Sequence, residues 1–476
     1  MNSFQKKGTS FSVLEKELKS VMERDRIWEN GKTFGFVYHP GNEIAQITSM
    51  YYNAYMYNSN LNPFISPSLR KYEKEIIGMT AAMVHGNSKV TGTVTTGGTE
   101  SIFSALKVAR DYSREVKKAS APFEVILPDT VHPAFLKACH ILCLNPVTVP
   151  VRKDKRADPE AMEKAITANT ILLTCSAPCF PYGVVDPVQD ISEIARNKGL
   201  LCHVDACMGG YMLPFLEDLG FKIPIFDFRI PGVTSISMDA HKYGYAPKGV
   251  SVILYRDHEL RMKQFFIYTD WCGGIYGSTT FQGTREGGPM AACRAIMCHL
   301  GREGYRKLAK EVMETTLKIK AGITRTGVLN IISDPEMSVL AFTSDTINIY
   351  ALGDALKVRG WNLDRLQFPK ALHMTVNRLN VGKEDAFIKD ITELASSEKL
   401  SIKHPVQSEL TSKLADKLTN LIPEGVIKNT ARLTGSILSD NKLENGGMAS
   451  LYNLSASIKN RKSLKKMVLN MIDGMY

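Results

Sequence analysis

Between about Thr80 and Tyr255 the chain alternates short apolar runs with longer stretches of helical period. The runs Phe123–Leu127, Thr170–Cys175, Leu200–Val204, Val233–Ser237 and Val250–Tyr255 have the length and near-continuous apolar character of strands buried on both faces. Between them, Ser101–Lys118 puts Ile102, Leu106 and Ala109 on one face, with Ala105, Val108 and Tyr112 beside it, and Asp186–Lys198 is a second helix of the same kind. Strands alternating with helices predict an α/β fold: a large, mostly parallel sheet covered on both faces.

After about Gly304 the texture shifts to longer helical patterns with few strand signals, which predicts a second, smaller domain. The expected division is an N-terminal helical segment over 1–60, a large domain over 61–303 and a small C-terminal domain over 304–476. Within the last, Glu393 to Asn445 is polar and rich in Lys, Ser and Asn. Leu410, Leu414, Leu418 and Leu421 recur there at helical spacing and predict one amphipathic helix docked on the surface.

Composition narrows the class. At 476 residues, 44% hydrophobic and 22% charged, the chain can bury a large core, which excludes a disordered or fibrous role. The net charge of +11 reads first as a solvated basic surface, and second as suited to anionic membrane surfaces. No Arg/Lys tract is interleaved with aromatics, so nucleic acid is not an expected partner. Nine cysteines form no disulfide-like framework, and the pairs Cys139/Cys143 and Cys175/Cys179 lack the two-residue gap of a zinc ribbon. Reduced thiols and no metal are expected. Met1–Asn30 lacks the apolar core of a signal peptide, and no stretch reaches the ~18 apolar residues of a membrane span. A cytoplasmic location is expected, with non-classical export left open.

Three separated segments carry chemistry. Thr95-Thr96-Gly97-Gly98-Thr99-Glu100-Ser101 opens the first predicted helix. Its glycines admit an anion close to the backbone, Thr99 and Ser101 add hydroxyls, and the helix start adds free N–H groups. His203-Val204-Asp205-Ala206 ends an apolar run, placing Asp205 at the carboxyl end of a central strand, where a carboxylate can pair with a protonated pyridine nitrogen. Ser237-Met238-Asp239-Ala240-His241-Lys242 follows a strand and leads into Tyr243-Gly244-Tyr245-Ala246-Pro247-Lys248-Gly249. An amine held there can form an imine with a cofactor aldehyde, and burial with nearby cations is expected to lower its pKa. Singly, these segments read equally as a helix start, a helix cap and a surface cation. Their combination and order point to pyridoxal 5′-phosphate (PLP).

The same strings resemble the group II PLP-dependent decarboxylase superfamily of fold type I, and within it the sphingosine-1-phosphate lyase family. Phe226-Asp227-Phe228-Arg229, Thr269-Asp270-Trp271, Gly273-Gly274-Ile275-Tyr276 and Gly360-Trp361-Asn362-Leu363 extend the likeness, which runs from about Tyr38 to Lys389 and resumes near Gly447. The resemblance implies a homodimer with shared sites and PLP as a Schiff base on Lys242. Asp205 is then on the ring nitrogen, His132 stacks on the ring, and Gly98, Thr99 and His241 hold the cofactor phosphate. Thr284 stands where the family has a Ser that reaches the neighbouring subunit's cofactor phosphate. Lys248 meets the substrate phosphate, and Tyr38 and Tyr452 close over the substrate. One departure falls in the substrate-phosphate stretch, where Asn62 replaces the family's His and Ser59 its Asn. The polar stretch 393–445 has the character of an insertion.

The implied reaction is a retro-aldol cleavage of a phosphorylated sphingoid base to a long-chain aldehyde and phosphoethanolamine. The base that takes the C3 hydroxyl proton stays open between freed Lys242, a tyrosine and the cofactor phosphate. Two other readings also stay open: a PLP-dependent amino-acid decarboxylase, and a catalytically silent PLP-fold binding protein.

Overall fold

The computed structural model describes residues 4, 6–62, 64–401, 452 and 461–475. The helix expected around Leu410–Leu421 lies outside them. Seven strands form the large sheet: β1 (Thr91–Thr95), β2 (Glu124–Pro128), β3 (Asn145–Val149), β4 (Thr170–Ser176), β5 (Leu201–Asp205), β6 (Ser235–Met238) and β7 (Ser251–Tyr255). Their order is β1-β7-β6-β5-β4-β2-β3. The β3/β2, β2/β4, β4/β5 and β5/β6 pairs are parallel, while β7 runs antiparallel to both β6 and β1. The fold is thus of the α/β class, mostly parallel with one reversed strand.

All residues of β4, β5, β6 and β7 are buried, as expected where helices cover both faces. The helix Val188–Asn197 shows the cause: Val188, Ile191 and Ala195 share a face and are buried, while polar neighbours point outward. Two strands have no apolar run to announce them. β1 reads TGTVT and buries Thr93 and Thr95, and β3 is an edge strand with Pro146 and three exposed positions. A proline without an N–H is tolerated at such an edge.

A hairpin of β8 (Phe266–Trp271) and β9 (Gly274–Ser278) follows, with nearly all of its residues exposed. Beyond it, one helix, Gly287–Arg325, runs through residue 303 and is broken at Gly301, whose φ of 53° is left-handed. That helix leads into a four-stranded antiparallel sheet of β10 (Asn330–Ile331), β11 (Val339–Thr343), β12 (Asp364–Gln367) and β13 (Lys370–Thr375), in the order β10-β11-β13-β12. Helices Ile349–Val358 and Glu384–Ala395 accompany it. The sequence pattern underestimates these strands because β10 has two residues and β12 (DRLQ) is only half-buried.

Candidate active site

A cavity of about 710 Å³ opens at the carboxyl ends of β1, β5 and β6. Open α/β sheets place ligands at this edge. It collects Thr96–Glu100, His132, Asp205, Cys207, Asp239, His241, Lys242, Lys248 and Tyr38.

The floor is built from strand ends. Asp205 is the last residue of β5, the middle strand of seven, and is 7% exposed. Its Oδ1 accepts from the Cys207 N–H at 3.0 Å and the Ser237 hydroxyl at 3.1 Å. Behind it, His203 lies with Nε2 3.2 Å from the same Ser237 hydroxyl and Nδ1 2.9 Å from that of Ser235. Burial pushes His203 down to about 4, so it is neutral near pH 7 and leaves the negative charge of Asp205 uncompensated from behind. A carboxylate so oriented, with one lobe facing the cavity, is an acceptor for a cationic ring N–H.

Lys242 follows β6 by four residues, and its Nζ lies 2.9 Å from Asp239 Oδ2. Burial disfavours the Lys242 ammonium, but the Asp239 carboxylate outweighs it and the net shift is upward. The expected lowering by nearby cations is corrected here, because the nearest charge is an anion that the sequence reading gave no role.

The anion cradle forms at the start of the helix Gly98–Glu115, capped at Gly97. A Cβ on Gly98 would lie 2.8 Å from both Asp239 Oδ1 and Cys207 Sγ, so only glycine lets this backbone approach the floor. Thr99, in the first turn, is exposed to the cavity. Ser101 does not serve the anion: its hydroxyl is buried against Thr95 at 2.7 Å and Ser251 at 3.3 Å. Glu100 was also missed as a structural tie. Its carboxylate accepts from the Thr96 N–H and hydroxyl, both at 2.7 Å, and from the Phe281 N–H at 2.8 Å, joining the cradle to the loop after β9. His241 lies beside Gly97, with Nδ1 2.9 Å from the Val250 carbonyl. Burial lowers its pKa, and the Asp239 carboxylate only partly opposes this.

His132 stands at the head of the helix Ala134–Leu142, exposed to the cavity. Its Nδ1 accepts from the Ala134 N–H at 3.2 Å, which puts the ring proton of the neutral form on Nε2. Desolvation holds its pKa below the ordinary value, so a neutral ring is presented. Tyr38 packs edge-on against Tyr243 at 5.2 Å between centroids, and its phenol is pushed upward, first by burial and then by Asp239. The exposed Lys248 reaches over the Tyr38 ring and donates to the Phe36 carbonyl at 2.8 Å.

Four named residues are not brought to this cavity within one chain. Ser59 accepts from the Leu61 N–H and pairs with Glu286, and Asn62 accepts from the Phe64 N–H. Thr284 is exposed between Gln282, which lines the cavity, and Arg285, which is ion-paired to Glu73. The Tyr452 ring packs 5.9 Å from Tyr350, with the Arg365 guanidinium 5.7 Å from its centre; the adjoining Asp364 does line the cavity.

The donor set fits PLP: an amine, an acidic acceptor at a strand end, a flat neutral imidazole and a glycine-opened helix start share one cavity. Comparisons with known proteins agree. The pyridoxal-dependent decarboxylase conserved domain matches residues 12–345. The sphingosine-1-phosphate lyase of Dictyostelium discoideum is 42% identical over 389 residues, covering 81% of this chain and 73% of that protein. Sphingosine-1-phosphate lyase 1 of Rattus norvegicus is 40% identical, with 81% and 68% covered. The structure of sphingosine-1-phosphate lyase from Burkholderia pseudomallei superposes with a TM-score of 0.81 at 37% identity, over 87% of this chain and 96% of that one. Glutamate decarboxylase of Lactobacillus brevis, at 18% identity and a TM-score of 0.70, shares the fold. A fold-type-I frame, a cavity whose donors suit PLP and this degree of identity lead to one conclusion: the chain belongs to the pyridoxal-dependent decarboxylase family, in its sphingosine-1-phosphate lyase branch.

Proposed function

We propose that this protein is a PLP-dependent aldehyde-lyase that cleaves phosphorylated long-chain bases between the amine-bearing C2 and the hydroxyl-bearing C3, giving a long-chain aldehyde and phosphoethanolamine. The observation that carries this reading is the meeting of Lys242, Asp205 and the Gly97–Gly98 helix start in one cavity that also holds Lys248. PLP, when bound, supplies a cationic ring that takes up the electron pair left at C2.

The chain's residues do the rest. Lys242 would hold the cofactor covalently, and the N–H groups of Gly98 and Thr99, with His241, would take its phosphate. Asp205, fixed by the Cys207 N–H and Ser237, would keep the ring nitrogen protonated. His132 would cover the ring face. Lys248 has three protons and gives one to Phe36, so it can add a charge-assisted bond to a substrate phosphate. Tyr38 beside it would then close the N-terminal segment over the bound substrate.

The active form would be a homodimer. Phe266, Ile267, Tyr268, Trp271 and Ile275 are 46–81% exposed on one hairpin, an apolar surface that a second copy can cover. Thr284, Ser59 and Asn62 would serve the neighbouring copy's site, while Tyr452 would act only after a shift from Tyr350. The +11 charge suits brief contact with the anionic membranes where such lipids reside.

The test is to supply purified protein with PLP and sphingosine-1-phosphate and to measure aldehyde and phosphoethanolamine together. Equal amounts of both are expected. Carbon dioxide from glutamate or an aromatic amino acid, with neither product, would move the protein to the decarboxylases.

A further inference from the structure

Asp239 has no part in the reading above, yet it holds the group nearest the Lys242 amine. Its carboxylate is 3% exposed, with Oδ2 2.9 Å from Lys242 Nζ and 3.6 Å from His241 Nε2. The Ser251 hydroxyl, across the β6–β7 turn, lies 2.5 Å from Oδ1. The Lys242 N–H also bonds the Asp239 carbonyl at 3.2 Å, a turn that keeps the two side chains together. A carboxylate this buried needs a cationic partner, and the fold supplies Lys242 three residues on.

We propose that Asp239 is a positioning residue that captures the Lys242 amine as an ammonium whenever Lys242 is not bonded to the cofactor, so that the freed lysine serves as a proton donor rather than as the base. This rests on the PLP-lyase reading above and adds to it.

The other groups facing Lys242 do not replace Asp239. Asp205, at the end of β5, gives Oδ1 to the Cys207 N–H and Ser237, and its pull on Lys242 is weaker than that of Asp239, which alone among the described carboxylates is ion-paired to the amine. The Cys207 thiol is pushed up by burial and stays neutral. His132, from the neighbouring helix start, is neutral for the same cause. On the lysine's own loop, the Tyr243 phenol is raised by burial, His241 is lowered by it, and Lys248 is turned to Phe36. The ammonium is therefore held by one carboxylate. During turnover its Nζ–H bond breaks as the C2–H bond of the product forms. Lys242 becomes a neutral amine at the moment it must rebond to the cofactor. The C3 hydroxyl proton must then leave to a different acceptor.

The test uses the full-length chain stripped of cofactor, with PLP added back. The rate at which the visible chromophore forms is followed against pH in wild type, Asp239→Asn, Asp239→Glu and Ser251→Ala. Only the neutral amine attacks the aldehyde. Asp239→Asn is therefore expected to move the midpoint down by at least about one pH unit, which at pH 7 is roughly a tenfold faster rate. Asp239→Glu and Ser251→Ala are expected to keep the wild-type profile. An unchanged midpoint in Asp239→Asn overturns the proposal. Chromophore formation in Lys242→Ala would instead sink the cofactor reading on which it rests. Should Asp239→Asn fail to fold, competitive acetylation of wild-type apo-protein decides: the labelling midpoint of Lys242 must lie above that of the exposed Lys137, and a lower one rejects capture.

Discussion

The floor of the cavity and its rim are held in different ways. On the floor, Asp205 stands on a buried strand end and Lys242 on the turn four residues past another, and each charged or polar group has a short-range partner within about 35 residues of sequence: Ser237 for Asp205, Asp239 for Lys242, Ser235 for His203. The rim is assembled from afar. Lys248 bonds to Phe36 across 212 residues, and Glu100 bonds to the Phe281 N–H across 181. One buried ion pair, Arg285 with Glu73, anchors the base of that rim. Glu73 Oε1 and Oε2 meet Nη1 and Nη2 at 2.5 and 2.9 Å, and the same carboxylate accepts from the Val94 N–H and the Asn60 amide. The floor is preorganised for charge, whereas the rim is a set of latches between segments distant in sequence. Electrostatic preorganisation is the larger lever on rate, and binding contacts on affinity.

That contrast can be broken by mutation. Lys242→Ala should cost the most: steady-state turnover is expected to fall by at least ~1,000-fold, the upper part of the range for loss of one reacting group, with the visible cofactor band lost. Full retained activity would end the covalent role. Glu73→Ala leaves Arg285 buried without its anion, and urea unfolding should report a loss of about 3 kcal/mol. A change below ~1 kcal/mol would mean that the rim has another anchor.

A pH experiment isolates the floor. His203 ordinarily titrates near 6.5 but is held at about 4 in the fold, so the unfolded chain binds its proton first as the pH falls. Its stabilising neutral state is complete above pH 6.5 and is lost as the pH drops from there toward 4, by about 3 kcal/mol. Asp186 has the opposite sign: burial raises it to about 6, so the native state takes up its proton first and gains stability over part of the same window. The wild-type curve therefore conceals both. The difference between wild type and His203→Gln, measured by denaturant unfolding at pH 7 and pH 4, exposes the first, and parallel curves would refute it. The smallest effect belongs to Lys248→Ala, with KM for the phosphorylated substrate raised roughly tenfold and kcat nearly unchanged, as for loss of one charge-assisted contact. An equal loss with an unphosphorylated amine would place Lys248 elsewhere in the mechanism.

The same contrast explains what the sequence makes legible. Apolar runs announce β2, β4, β5, β6 and β7, and the floor residues sit in contiguous strings beside them, so Asp205 and Lys242 can be picked out by spacing. β1 buries threonines and β12 is only half-buried, so neither carries such a signal. Asp239 lies within the segment leading to Lys242, where the local pattern assigns it no role. Only the 2.9 Å approach of its side chain gives it a purpose. Glu100 and Glu73 act through partners 181 and 212 residues away, which no local pattern encodes. Thr284, Ser59, Asn62 and Tyr452 were singled out by family likeness alone, and they are the residues that one chain does not bring to its own cavity.

The reversed strand β7 has a consequence for how the protein is made. β1 pairs with β7 alone among the described strands, Thr95 opposite Ser251 and Thr91 opposite Tyr255. The glycine turn after β1 thus leaves the ribosome well over a hundred residues before the strand that ties it to the sheet. At ~5–20 residues per second, that is roughly ten to thirty seconds with one edge open. Helix Pro67–Met83, already synthesised and packed on β1, can shelter that edge meanwhile. Cofactor loading on the nascent chain must wait for Tyr255, so a pause in translation between Thr95 and Tyr255 lengthens the exposure of an unpaired strand.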